Sequence, residues 1–162
     1  MSRDAYDRLV ERSWDPDTVL LQELYSAAVL VELLVGEELR AAGVQPQLFS
    51  FLGWIAFLEP VTPGRLAGET GMPPTTIRDY IRRLVERGDV RKTTNADDGR
   101  SYLLVLTPKG RRLVDRGRPA VAAAFARLRP QLTRPADEHL VAVEELRRGL
   151  KDALAARSRS RA

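Results

Sequence analysis

Proline and glycine divide the middle of this 162-residue chain into a succession of elements that few folds can accommodate. Thr62 followed by Pro63 predicts a helix start, because threonine caps a first turn and proline has no N–H to leave unpaired there. Gly71 predicts the end of that helix, since glycine adopts positive φ without strain. Pro74 opens a second helix and Gly88 closes it. The two short helices are therefore separated by a tight turn.

A basic hairpin follows these helices directly. Residues 90–95 and 100–106 read as two strands, and the tip between them is Ala96-Asp97-Asp98-Gly99, followed by Arg100. We expect Gly99 to supply the positive φ that the turn needs. A helix, a glycine turn, a second helix and a hairpin in this order predict a winged helix-turn-helix. We place it at residues 46–110, beginning with an aromatic helix at 46–58.

Long apolar helices flank this unit on both sides. Asp15, as an N-cap, and Pro16 predict the start of a helix that continues to Ala42, and its apolar residues cover more than one face. Such a helix must be buried on several sides. In a short chain the simplest cover is the chain's own body together with a second copy, although a central core helix of a monomer would look the same.

The C-terminal part predicts two further helices. The first starts at Thr107-Pro108, runs to about Arg129 and contains Pro119 as a predicted kink. The second, at 136–156, carries an apolar seam and precedes a tail expected to be disordered. The seam consists of Leu140, Val143, Leu146, Leu150 and Leu154. The predicted fold class is mostly α with a small β-hairpin wing, forming one unit over 1–162 with dimerisation helices at 15–42 and 111–156.

The composition excludes several classes of function. The chain has no cysteine and one histidine, His139, so thiolate chemistry is excluded and a histidine metal site is disfavoured. No nucleophile–base pair or phosphate-binding glycine loop is present, so we expect no enzyme, no cofactor and no metal. The N-terminus does not read as a signal peptide. The apolar stretch at 18–35 contains Gln22, Glu23 and Glu32, which predicts a cytoplasmic protein with no membrane partner.

Positive charge is concentrated in the middle of the chain. Residues 61–118 contain 13 basic and 7 acidic residues, whereas residues 1–60 contain 4 basic and 10 acidic ones. This asymmetry indicates a surface that binds a polyanion. An arginine-rich face that is merely solvated would give the same count.

The second helix of the helix-turn-helix pattern has two distinct faces. Ile77, Ile81, Leu84 and Val85 recur at helical spacing and predict a buried side. The opposite side suits the major groove of double-stranded DNA, because arginine bonds guanine, a carboxylate accepts from cytosine, and threonine contacts phosphate or a thymine methyl. The candidate DNA-binding residues on this side are Thr75, Thr76, Arg78, Asp79 and Arg82. A solvated face with stabilising charge pairs is the alternative.

The sequence resembles the MarR family of bacterial transcriptional regulators. The run TTIRDYIRRLVERGDV is similar to the recognition helix and first wing strand of that family, DDGRS to its wing tip, and LTPKG to the junction after the wing. The resemblance covers roughly residues 47–116. It implies a homodimer with interlocked terminal helices, bound to a pseudo-palindromic DNA site and acting as a ligand-responsive repressor. The alternative is a winged-helix module that binds another protein.

The resemblance also implies a small aromatic effector bound between the dimerisation helices and the winged unit. Tyr25, Phe51 and Trp54 are the candidate pocket residues, although ordinary core packing is the more frequent explanation for aromatic residues in such a helix. At the wing tip, we expect Arg100 to enter the minor groove, where the potential is strongly negative, and Asp98 to orient it. Asp97 should then face solvent. A surface ion pair that only aids solubility is the alternative.

Overall fold

The computed structural model describes residues 16–159, with side chains over 18–156. This part of the chain contains six α-helices and one two-stranded hairpin, which confirms the predicted fold class. In chain order the elements are α1 (Pro16–Ala41), α2 (Pro46–Leu58), α3 (Pro63–Thr70), α4 (Pro74–Glu86), β1 (Val90–Thr94), β2 (Tyr102–Leu106), α5 (Pro108–Leu128), a 3-10 turn (Arg129–Gln131) and α6 (Ala136–Arg159).

The helix ends follow the local chemistry of the sequence. The hydroxyl of Thr62 accepts a hydrogen bond from the Arg65 N–H at 3.1 Å and so caps α3. Thr107 caps α5 in the same way through the Gly110 N–H, also at 3.1 Å. Gly71 and Gly88 both have φ of 73°, as the turn after α3 and the end of α4 require. Asp15, the predicted cap of α1, lies outside the described residues.

The two wing strands pair antiparallel, with Val90 opposite Leu106 and Thr94 opposite Tyr102. They are shorter than predicted, because Asn95 and residues 100–101 belong to the tip instead. Gly99 does not have positive φ, so the predicted role of that glycine is wrong. At the other end of the chain, α6 continues to Arg159, three residues beyond the predicted end, so the expected disorder is wrong for residues 157–159.

One continuous core holds the winged unit together. Its most deeply buried members come from α2, α3, α4, both wing strands and the segment before α3 and are at most 2% exposed: Phe51, Leu52, Ile55, Val61, Leu66, Ile77, Ile81, Leu84, Val90 and Leu104. Phe51 also stacks on Tyr80, with ring centroids 4.8 Å apart. Val61 pairs with Leu104 through two backbone hydrogen bonds of 2.8 and 3.2 Å, an isolated β-bridge beside the hairpin.

Two glycines allow α5 to approach the winged unit closely. A Cβ on Gly117 would lie 2.1 Å from Cε2 of Phe49, and one on Gly110 would lie 2.0 Å from the carbonyl oxygen of Asp89. Both distances are far below van der Waals contact. A side chain at Gly110 would meet the backbone of Asp89 and displace α5, and one at Gly117 would displace either α5 or the Phe49 ring. The packing of α5 on α2 and on the base of the wing therefore depends on these positions.

Helix α1 joins the rest of the chain through its C-terminal half. Leu39 is buried with Phe49 in a second, smaller core cluster. Arg127 of α5 forms ion pairs with Glu37 at 3.1 Å and Glu38 at 3.0 Å. The hydrogen bond to Glu38, then that to Glu37, raises the pKa of Arg127 above its ordinary value, so its guanidinium stays charged.

The remaining surface of α1 is apolar and exposed. Leu21, Leu30 and Val31 are 57%, 65% and 55% exposed, and only 11% of the most apolar window of the helix is buried inside the chain. By length and composition alone, the segment Thr18–Ala41 could cross a membrane. Contrary to the prediction, the polar residues of this segment do not exclude a membrane span. The seam of α6 is similarly open, since Leu140, Val143 and Leu150 are exposed.

Candidate nucleic-acid interface

Helix α4 has the two faces that the sequence predicts. Ile77, Ile81 and Leu84 are buried against α2, α3 and the wing, and Val85 is half-buried. On the opposite side the side chains are exposed at four of the five candidate DNA-binding positions, and the fifth is half-buried. The exposed ones are Thr75, Arg78, Asp79 and Arg82, and the half-buried one is Thr76. The fold therefore brings these candidate residues together on one accessible helix face.

Two of these candidates contact each other. The Asp79 carboxylate lies 3.1 Å from Nη2 of Arg82, one helical turn away, and both side chains are more than half exposed. Arg78 forms no hydrogen bond or ion pair within the described part of the chain. Arg78 therefore keeps all its donors available, whereas Arg82 must share its guanidinium with Asp79 or leave it. Such an exposed pair contributes only about 0.2–1 kcal/mol, so either state is accessible.

At the wing tip the structure corrects one expectation. Oδ1 of Asp98 accepts a hydrogen bond from the backbone N–H of Arg100 at 3.0 Å, not from its guanidinium. Among the ion pairs of the described residues, none joins these two side chains. Asp98 therefore shapes the backbone of the turn, and the Arg100 side chain is exposed and unpaired. Asp97 is exposed, as expected.

Side-chain hydrogen bonds of Asn95 and Ser101 form a polar clasp at the base of the wing tip. Asn95 is 8% exposed, and its Nδ2 donates to the Ser101 hydroxyl at 2.7 Å while its Oδ1 accepts from the Asp97 N–H at 3.2 Å. The Ser101 hydroxyl in turn donates to the carbonyl of Asp98 at 3.2 Å. Sequence reasoning assigned Asn95 to a strand and missed this clasp. The only local signal was an asparagine next to a charged turn, a residue type that bonds its own backbone.

A buried carboxylate marks the base of the wing. Asp89 is 0% exposed and lies 2.8 Å from Nε of Arg87 and 3.4 Å from Nζ of Lys109. Lys109 also donates to the carbonyl of Arg87, and the Asp89 carbonyl accepts from the Thr107 N–H at 3.0 Å. These contacts join the end of α4, the start of β1 and the first turn of α5. Nothing in the sequence distinguished Asp89 from a surface acid.

Glu59 connects strand β2 of the wing to α5. Its Oε2 accepts from the Leu106 N–H at 2.7 Å, and its Oε1 pairs with Arg111 at 2.9 Å. On the outer surface of the strands, the ammonium of Lys92 lies 4.4 Å from the centre of the Tyr102 ring. The wing is therefore anchored at its base, while its outer strand and tip expose cationic side chains.

The three candidate ligand residues do not form one pocket. Phe51 lines an apolar cavity of about 480 Å³ between α1 and α2. Trp54 instead lines a groove facing α6, where the guanidinium carbon of Arg147 lies 5.5 Å from the centre of its ring. Tyr25 is 71% exposed on α1 and does not line the cavity. Of the three predicted residues, only Phe51 is thus placed at the cavity.

Comparison with known proteins supports the same reading. Residues 42–101 match the model of the MarR family. A comparison with curated protein sequences found no match. A solved structure of a MarR mutant from E. coli complexed with operator DNA is 23% identical, with a TM-score of 0.67 over 81% of this chain and 92% of that one.

Two further solved structures extend this similarity. CouR from Rhodococcus jostii RHA1, bound to p-coumaroyl-CoA, is 27% identical, with a TM-score of 0.62 over 86% of this chain and 92% of that one. A regulator from Methanosarcina mazei Go1 is 19% identical, with a TM-score of 0.67 over 83% of this chain and 98% of that one. The resemblance to the MarR family is thus confirmed, and the chain is a winged helix-turn-helix protein with the fold of MarR-family transcriptional regulators.

Proposed function

We propose that this protein is a cytoplasmic transcriptional regulator, acting as a repressor, that binds a pseudo-palindromic site in double-stranded DNA as a homodimer. The observation that carries the proposal is the exposed polar face of α4 beside the exposed cationic wing. Arg78 offers free donors on that face, and Arg100 is unpaired at the wing tip. The E. coli MarR mutant of the same fold was solved with operator DNA.

The homodimer is supported by the apolar surface of the outer helices. Leu30 is 65% exposed on α1 and Leu140 is 57% exposed on α6. Large exposed apolar patches are rare on soluble monomers and mark interaction sites. A second copy of the chain, with its own α1 and α6, provides an apolar surface of the same composition. We therefore assign the apolar face of α1 to a dimer interface rather than to lipid.

A small aromatic effector is supported by the cavity between α1 and α2. Its volume of about 480 Å³ is within the range of small-molecule sites, roughly 300–1,000 Å³. Phe51 and Tyr80 supply aromatic surface to it, and Tyr80 belongs to α4. A ligand there would contact the DNA-binding helix directly. CouR, at 27% identity, binds an aromatic acyl-CoA.

Unbiased selection of duplex DNA by the purified protein tests the DNA-binding function. We expect selected sites to contain an inverted repeat with half-site centres about 10 bp apart, or one helical turn. Affinity should fall steeply between two salt concentrations, because phosphate contacts release counterions. Recovery of random DNA without two-fold symmetry would contradict the proposal and favour a module that binds other proteins.

A further inference from the structure

A second groove lies between the C-terminal end of α1, the first turn of α2 and one flank of α4. Its volume is about 510 Å³. Three arginines from two helices line it, together with two carboxylates and the ring of Tyr80. The arginines are Arg40, Arg83 and Arg87, and the carboxylates are Glu32 and Glu86. It adjoins the apolar cavity, and Tyr80 lies at the wall shared by the two.

The arginines of this groove have unused donors. Arg40 and Arg83 form no hydrogen bond or ion pair within the part of the chain that the structure describes. Arg87 bonds Asp89 through Nε and Gln45 through Nη1 at 3.4 Å, and its Nη2 contacts no acceptor among the described residues. Gly36 makes room for Arg40, since a Cβ there would lie 3.0 Å from Nη2 of that arginine. Guanidinium groups with free donors from two helices favour an anion.

The groove lies at one edge of the candidate DNA-binding face of α4. Successive residues of an α-helix are about 100° apart, so Arg83 lies at the edge of the candidate DNA-binding face, within about 20° of Thr76, and Arg87 follows directly after the end of α4. A helix inserted in the major groove presents one face to the bases. The flank with Arg83 and Arg87 turns instead towards α1. In the groove these arginines are available to a phosphate group, whether of a free molecule or of the DNA backbone.

Arg87 connects the groove to the base of the wing. Its side chain is 40% exposed on the groove side, while its Nε bonds the fully buried carboxylate of Asp89 at 2.8 Å. Oδ1 of Asp89 has no hydrogen-bond donor within the described residues and lies 3.4 Å from Lys109 Nζ. An anion bound at Nη2 of Arg87 would share this guanidinium with Asp89. Occupancy of the groove would therefore act on the junction of α4, β1 and α5.

We propose that this groove binds a free, phosphate-bearing small molecule through Arg40, Arg83 and Arg87. Arginine matches phosphate oxygens with paired donors, and Arg40 and Arg83 are available without breaking another ion pair. Glu32 and Glu86 oppose the anion, so the affinity depends on the arginines being engaged together. The volume exceeds that of a phosphate group, which leaves room for an organic body that extends towards the apolar cavity.

Calorimetric titration of DNA-free protein with pyrophosphate at constant ionic strength tests the site. The double variant Arg40→Gln/Arg83→Gln removes two charges from the groove. Its matched control, Arg112→Gln/Arg116→Gln, removes two exposed charges from α5, where neither arginine has an ion pair within the described residues. We expect pyrophosphate to bind wild type and control alike and at least tenfold more weakly to the groove variant. Glu32→Gln should strengthen binding, because it removes a repelling charge.

Equal weakening in both double variants would show diffuse positive charge and overturn the proposal, as would no binding to wild type at millimolar pyrophosphate. Thermal melts of all variants check that each is folded. Gly36→Ala is an independent test, because it crowds the Arg40 guanidinium without changing charge and should also weaken binding.

Random duplex DNA distinguishes the source of the phosphate. If the groove serves a free molecule, the groove variant should bind DNA at least as tightly as the control variant. A loss of DNA affinity tenfold greater than that of the control would assign these arginines to the DNA backbone and overturn a small-molecule site. Because the titration contains no DNA, its outcome does not depend on whether the proposed regulatory function holds.

Discussion

The winged unit and the outer helices contain similar apolar residues but bury them very differently. Leu52, Leu66 and Leu84 of the winged unit are 0% exposed, whereas Leu21 and Leu30 of α1 are 57% and 65% exposed. The first group faces elements that are close in the chain and meet around one core. The second group lies on a 26-residue helix whose contacts with the second core cluster are made by its C-terminal half.

This difference shows that helix formation and burial are separate requirements. Helix α1 satisfies its backbone hydrogen bonds within itself, but this leaves its apolar face uncovered. Removing apolar area from water contributes about 25 cal/mol per Å², and the winged unit gains this within one chain. For α1 the same gain requires another surface. The winged unit is expected to be stable by itself, and the outer helices to depend on association.

The largest effect should come from the core of the winged unit. Leu66→Ala should lower the free energy of unfolding by about 2–5 kcal/mol, because it leaves a cavity that rigid neighbours cannot fill. Urea unfolding at fixed protein concentration measures this loss. Val141→Ala, at a site 66% exposed on α6 and outside its seam, is the control and should change stability by less than about 0.5 kcal/mol. Equal losses of unfolding free energy in the two variants would contradict the difference between the winged unit and the outer helices.

Association of the outer helices should be the next most sensitive property. Leu30→Glu should weaken the dimer by about 2–3 kcal/mol, or roughly 30- to 150-fold, because a carboxylate would be desolvated in an apolar interface. Sedimentation across a range of concentrations measures this. The same type of change at the exposed wing residue, Ala96→Glu, should leave association unchanged. A wild-type protein that sediments as a folded monomer at micromolar concentration would contradict the dimer.

Within the winged unit, the exposed face of α4 should control sequence discrimination. Arg78→Ala should lower the binding free energy by about 1–3 kcal/mol on the selected DNA site and by much less on random duplex, if Arg78 makes a bidentate hydrogen bond to a base. Competition binding against both DNAs measures the difference. Arg82→Ala should have a smaller effect of the same kind, because the Arg82 guanidinium is paired with Asp79 in part of the molecules. Equal losses on both DNAs would assign these arginines to phosphate.

The smallest effects should come from the wing tip. Arg100→Ala should lower the slope of log affinity against log salt by about one per subunit, with almost no change in thermal stability. Asp98→Ala should weaken DNA binding as well, because it removes the acceptor that fixes the Arg100 backbone. Asp98→Asn keeps an acceptor oxygen and should restore most of the affinity. If Asp98→Ala instead tightens DNA binding, the carboxylate does not organise the tip.

The sequence predicted most precisely those features that depend on near neighbours in the chain. The bounds of α2 and α3 agree with the prediction, because proline, threonine and glycine act within one or two turns. The face of α4 was also predictable, since helical periodicity places Ile77, Ile81 and Leu84 together whatever they pack against. The grouping of Tyr25 with Trp54 was wrong because it depends on contacts between distant elements. The corrections at Gly99 and Asp98 concern a short turn whose residue types allow more than one backbone conformation.

What the sequence by itself determined was the order of elements, the buried side of α4 and the charge of the middle segment, because each follows from local propensity or from counting. Tertiary structure alone placed Asp89 between α4, β1 and α5, joined Asn95 to Ser101, and brought Arg40 of α1 beside Arg83 and Arg87 of α4. These contacts join separate elements, and the residues at each end have ordinary local sequences. Their energies come from burial and charge pairing, which exist only once the elements have met.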